Sequence, residues 1–261
     1  MAGLSKWTNK GTKNGIWEIE LSSWKWFHDF VRKEMLDHSH YVWRGQRDSA
    51  WKLESSFDRL MTFKPKSERE RLANGHLEKF KLSIRGRRGS NPSKIESENE
   101  WWALGQHQGL ATPLLDWTES PFVALYFAFE KQEKPSSGRR AVWALGGIGS
   151  KNAEITSTHK GAERPPILEF VRPHQDENAR LVSQAGLFSR TPLGDTVDSW
   201  IERHYLGEST KAPMVKIVLP EKERTECLRT LNKMNINHLT LFPDVYGASQ
   251  HCNKVLQIAK Y

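Results

Sequence analysis

Arg44 closes the apolar stretch Tyr41-Val42-Trp43 and is followed by Gly45 and Gln46. Its guanidinium is a planar fork of donors that matches phosphate or carboxylate in two-point contact. At the end of a hydrophobic strand such a group is badly placed for a surface ion pair. It is well placed to grip a phosphate or ribose-phosphate ligand, and Gly45 beside it lets a ligand approach the backbone. A structural Arg44 paired with Asp116 is the alternative role, and the two do not exclude each other. Further along, GQHQGLATPLLDWTESP sets Gln106, His107, Asp116 and Thr118 directly ahead of the apolar run FVALYFAF. Ser120-Pro121 is a helix-start pair, so Asp116 and Thr118 are expected just before a helix N-terminus, whose N–H groups and dipole favour an anion. As caps the same groups would contribute about 1 kcal/mol each. Spacing alone leaves cap and site open. His107, at the end of a predicted helix before Gly109, is either a C-terminal cap or a ligand contact.

The segment RGRRGSNPSK carries Arg85, Arg87, Arg88 and Lys94 among glycine, serine and proline, which predicts a loop. It is the densest positive patch of the chain. It is either a nucleic-acid contact or a solvated connection, with Phe80, Trp101 and Trp102 as the only nearby aromatics. The whole sequence has 39 Lys and Arg against 31 Asp and Glu, a formal charge of +8. That balance favours a polyanionic partner. Phosphate-loop, dinucleotide-fold, HExxH and GxSxG motifs are absent. Glu98, Glu100, Asp116 and Asp244 leave a metal-dependent nuclease open as an alternative, but their spacing matches no two-metal pattern and no metal is expected. Cys227 and Cys252 belong to no metal or disulfide pattern. The longest apolar run is too short to span a bilayer and the first residues lack a signal-peptide core, so a cytoplasmic protein without membrane contact is expected.

These groups must be positioned by the elements around them. Residues 8–15 are expected to form a loop within an N-terminal extension over 1–20; Ser22 and Ser23 cap a helix to about Met35. His40–Gln46 is a strand. A charged helix begins after Ser67, and ENEWWALGQHQG is helical up to its glycine. Ser120 starts a helix to about Lys131, AVWAL is a strand, and residues 146–166 are a long loop. Strands are expected around Leu181 and Val182, at Gly186–Phe188, over MVKIVLP and over HLTLFPD. ERTECLRTLNKMNI is a helix with Leu228, Leu231 and Met234 on one face. The sum is a single α+β domain with an N-terminal helical part.

In their order, VWRGQ, GQHQGLATPLLDWTESPFVALYFA, RLVSQAGLFSRTP and LTLFPDVYG resemble the blocks of the FRG domain family, whose aromatic-Arg-Gly motif is here Trp43-Arg44-Gly45. The resemblance runs from about residue 40 to 247 and places an FRG domain over residues 21–261. The block order is also similar to that of ADP-ribosyltransferases, which implies a split mixed or antiparallel sheet and NAD as the substrate that donates ADP-ribose. On that likeness Arg44 holds phosphate or ribose, with Gly45, Gln46 and His107 beside it. Asp116 and Thr118 orient the nicotinamide ribose, and Gln184 stands where that group usually has a glutamate. The resemblance further implies a toxin of a bacterial defence or toxin–antitoxin system, with an antitoxin partner. The basic loop then suggests a nucleic-acid acceptor, RNA before DNA. A non-catalytic module that binds nucleic acid or a partner is the alternative from another class.

Overall fold

The computed structural model describes residues 5–89, 92–161, 163–173 and 179–261. Eight strands form one mixed sheet, mostly antiparallel: β1 (Trp7–Lys13), β2 (Ile16–Leu21), β3 (Val42–Gln46), β4 (Leu114–Thr118), β5 (Arg139–Leu145), β6 (Glu169–Val171), β7 (Gly186–Arg190) and β8 (Met214–Pro220). Their order across the sheet is β1-β2-β8-β5-β3-β4-β7-β6, and β2–β8 is the parallel pair. The chain is a single α+β domain, as the alternation of elements predicts.

Helices cover both faces. On one, α1 (Phe27–Phe30, between a 3-10 turn Trp24–Trp26 and a π turn Val31–Met35), α5 (Pro121–Phe129) and α9 (Arg224–Lys233) bury Phe27, Phe30, Tyr126 and Leu228 against Ile19, Trp43 and Val142. On the other, α8 (Val197–His204) packs Trp200 and Ile201 with Trp117 and Trp143. A third cluster joins α2 (Ser56–Leu60), α3 (Lys66–Ser83) and α4 (Glu98–His107) through Phe57, Leu77 and Trp102. Strand alternation sorts the apolar residues of each strand between the layers.

Several expectations are corrected. Residues 8–15 are not a loop: β1 and β2 form a hairpin whose turn residues, Asn14 and Gly15, have φ of 49° and 78°. An Asn-Gly pair suits that tight turn, and β1 is mostly exposed, which left no apolar alternation to read. The expected loop 146–166 contains α6 (Gly149–Thr158), a helix without a buried residue. Leu181 and Val182 lie in α7 (Ala179–Ser183), and HLTLFPD holds α10 (His238–Leu241), started by a capping box of Asn237 and Thr240, rather than a strand. A final helix, α11 (Val245–Gln257), is capped by Asp244. Met234 is 53% exposed rather than on the buried face of α9. Asp116 and Thr118 do lie just before α5, as expected, and they do so as residues of β4.

The middle of the sheet is shaped by two features. β3 is fully laddered to β5 and β4 to β7, but β3 and β4 share a single pair, Trp43 with Thr118, so the sheet opens from Arg44 onward. And α5 sits directly on β3: a Cβ on Gly45 would come within 1.9 Å of the Ala124 carbonyl oxygen and 2.5 Å of the Ala128 nitrogen.

Candidate functional site

A cleft of about 530 Å³ lies where β3 and β4 part. Arg44, Asp116, Thr118 and Gln184 all line it, although they come from β3, β4 and the turn after α7. The three elements are neighbours because β4 lies between β3 and β7.

Arg44 replaces the missing ladder. Its Nη1 donates to the main-chain oxygen of Asp116 at 2.7 Å and lies 3.6 Å from the Asp116 carboxylate. Its Nε is buried and makes no hydrogen bond among the described residues. Burial lowers the pKa of this guanidinium, the Asp116 carboxylate opposes that, and the positive Arg59 adds to the lowering. The group remains a cation, paired with the Asp116 carboxylate, and it keeps one buried donor, Nε, without an acceptor among the described residues. Asp116 is mostly exposed, and its Oδ1 accepts from Gln106 Nε2 at 2.7 Å, while the Gln106 carbonyl oxygen accepts from Thr112 Oγ1. α4 therefore orients the carboxylate through Gln106.

Other expected residues are placed differently from their assigned roles. Gly45 lines the cleft, and the close approach of α5 requires its lack of a side chain. Gln46 is 7% exposed; it accepts from the Trp143 indole at 2.8 Å and donates to Lys52 O at 3.1 Å, which fixes the segment after β3. Thr118 Oγ1 donates to Gln184 O at 2.6 Å and accepts from Ser120 N at 3.1 Å, so the hydroxyl ties β4 to the turn before β7. Gln184 Nε2 donates to Leu241 O at 3.1 Å. Ser120 caps α5 as its sequence predicts, through Val123 N at 3.3 Å. His107 is outside the cleft wall, at the end of α4 near Arg180 and Asp244. Burial and then Arg180 lower its pKa, with Asp244 opposing, which keeps the ring neutral at pH 7.

The cleft also contains residues that sequence reasoning missed. Arg47, Trp51, Lys52, Glu54 and Arg59 come from the segment that runs from β3 into α2. Arg47 stacks on Trp51 at 4.8 Å and pairs with Glu133 at 3.1 Å; Lys52 pairs with Asp198 at 3.1 Å. Glu54 lies between Leu53 and Ser55, both buried, and its carboxylate has no hydrogen bond or ion pair among the described residues. Their signal in the sequence was continuity with the RGQ motif, since the run RDSAWKLESSFDR mixes cations and aromatics with no turn pair. Across the cleft stand Phe127, Glu130, Lys131 and Phe242. Burial works against ionisation of Glu130, but His238 and Lys131 hold its pKa below the usual value. His238 in turn meets the Tyr126 hydroxyl at 2.5 Å and stacks on Phe242.

The basic loop is separate from this cleft. Arg87 and Arg88 border a hollow of about 350 Å³ between α3 and α4, together with Gln108, and Arg88 lies 5.6 Å from the Trp101 ring. Arg85 and Lys94 are exposed, and Lys94 meets Glu96 at 3.2 Å. Ser90 and Asn91 of the same loop lie outside the described residues. The four carboxylates of the nuclease alternative are not brought together: Glu98 pairs with Arg190, Glu100 closes the Ser97 capping box, Asp244 pairs with Arg180, and Asp116 is in the cleft. Among the described residues no three His, Cys, Asp or Glu side chains converge as a metal site, and no helix is long and apolar enough to cross a membrane. Both cysteines are free thiols.

The family model of the FRG domain matches residues 39–137. The match contains the Trp43-Arg44-Gly45 block and the block around Asp116 and Thr118; Gln184 and the last block lie beyond it. No curated protein and no solved structure matches the chain.

Proposed function

We propose, on the premise that this chain carries an FRG domain over residues 39–137, that it transfers ADP-ribose from NAD to a nucleic acid. The observation that carries the reading is the meeting of Arg44, Asp116 and Gln184, from three neighbouring elements, in one cleft at the opening of the sheet. The cleft combines five cations, Arg44, Arg47, Lys52, Arg59 and Lys131, with the aromatics Trp51, Phe127 and Phe242. Cations suit a dinucleotide's phosphates, and ring faces suit its bases.

In the reaction the bond between ribose C1′ and nicotinamide breaks, and its electron pair leaves on nicotinamide. An acceptor nucleophile then bonds to C1′ and gives up its proton. Arg44 holds phosphate, and Asp116, oriented by Gln106, addresses the nicotinamide ribose. Gln184 cannot act as the carboxylate usual at its position. Glu54, in the same cleft and unpaired among the described residues, supplies the negative charge that stabilises the cationic C1′ and can take the acceptor's proton. Arg87, and Arg88 beside Trp101, offer a nucleic-acid acceptor charge and a stacking surface, RNA before DNA, and the resemblance to FRG proteins implies a growth-arresting toxin with a neutralising partner as the biological setting.

A second reading, a binding module without catalysis, is favoured by one fact: Gln46, Thr118 and Gln184 are all engaged in internal hydrogen bonds. Labelled NAD incubated with RNA, DNA or cell lysate separates the two. Transfer of label to nucleic acid is expected, reduced about 100-fold or more by Arg44→Ala and by Glu54→Gln. Label that stays on NAD with the wild-type protein leaves only the binding module.

A further inference from the structure

We propose that Arg44 and Arg59 form a two-pronged clamp for a diphosphate group. The two side chains line one cleft from opposite elements, Arg44 from β3 and Arg59 from α2. Arg59 is near enough to Arg44 for its positive charge to act on that guanidinium, and each side chain keeps donors without an acceptor among the described residues. Arg44 spends Nη1 on Asp116, but its buried Nε has no acceptor among the described residues. The guanidinium of Arg59 has no hydrogen bond or ion pair among the described residues, even though Glu54 lines the same cleft.

Arg59 is also held in place. Ser55 caps α2 through Asp58 N, Arg59 N bonds back to Ser55 O, and the adjacent Asp58 is buried against Arg69 at 3.0 Å and Gly194 N at 2.7 Å. A rigid backbone thus carries an uncommitted cation toward another whose buried donor is unsatisfied. A buried donor without an acceptor is costly, and an anion that reaches it relieves that cost. A single phosphate can meet one fork well. A diphosphate supplies separate oxygens to each, in charge-assisted bonds. The clamp deepens the reading of the cleft as an NAD site, on which the identity of the nucleotide rests, but the anion specificity stands on the two arginines alone.

The test is calorimetric titration of the full chain with inorganic pyrophosphate and with inorganic phosphate at low salt. Wild type is expected to bind pyrophosphate at least about tenfold more tightly than phosphate. Arg59→Ala is expected to abolish that preference with an unchanged melting temperature, because the side chain is exposed and unpaired among the described residues. Arg71→Ala, which removes an exposed charge on α3, is expected to keep the preference. The clamp is overturned if wild type shows no preference for pyrophosphate, or if Arg59→Ala retains it. Transfer from labelled NAD by wild type, together with a preference retained in Arg59→Ala, rejects the clamp and keeps the proposed activity. A preference lost in Arg59→Ala, in a protein that neither binds nor uses NAD, keeps the clamp and rejects the activity.

Discussion

Gly45, singled out beside Arg44 for one reason, is also needed for another. Its place beside Arg44 suggested room for a ligand, and on the side where a Cβ would point stands α5, whose main chain that Cβ would strike at 1.9 Å. Gly45→Ala therefore forces helix and strand apart, and it is expected to destabilise the protein by about 3 kcal/mol, seen as a lower urea midpoint with little change in slope. Arg44 was legible because an arginine ending an apolar strand is chemically unusual. The partner that actually holds it, the main-chain oxygen of Asp116, carries no sequence signal, since any residue at that position supplies the same oxygen. Arg59 and Glu54 were illegible for a related reason: each is an ordinary charged residue until the fold shows that no described residue pairs with it.

Among the elements, those with a clear boundary signal or a full apolar stripe were legible, such as α4 ahead of its glycine stop, α5 behind Ser120-Pro121, and β8. The misread ones are short or face solvent. α7 and α10 span five and four residues, too few for a helical period to show, and α6 buries nothing. α5 depends on remote sequence at its far end. Arg140 donates to Ala128 O at 2.5 Å, Arg224 to Phe129 O at 2.7 Å and Glu130 O at 2.6 Å, and Lys254 to Glu130 O at 2.5 Å. Three cations from β5, α9 and α11 thus occupy carbonyls that the helix itself leaves open, where its dipole favours positive charge. Arg140 is fully buried and also pairs with Glu221. Arg140→Met keeps the volume but strands Glu221 and the carbonyl oxygens, and a loss of about 3 kcal/mol is expected in chemical denaturation.

Over the whole molecule, charge links stability to acid. Burial works to raise the pKa of Asp48, but donors from Ser136, Ser137 and Ala50 hold it well below the usual carboxylate value. Asp195 is likewise opposed by burial and held low by Arg203 and Lys66. A depressed folded pKa contributes stability that is complete above the unfolded value of about 4 and is lost as pH falls from there through the folded value. Urea midpoints are accordingly expected to decline gently from pH 7 to 5, where the lowered pKa values of His107 and His204 make protonation favour the unfolded chain, and to fall steeply below pH 4, with a shallower acid fall in Asp48→Asn. The single pair joining β3 to β4 has a different kind of consequence. Where strands are laddered, their spacing is dictated by the backbone and no substitution can change it. Along this one line the gap is set by whichever side chains stand in it, so the sheet can be re-cut for a wider or narrower occupant by exchanging a few residues, while every strand on either side keeps its register.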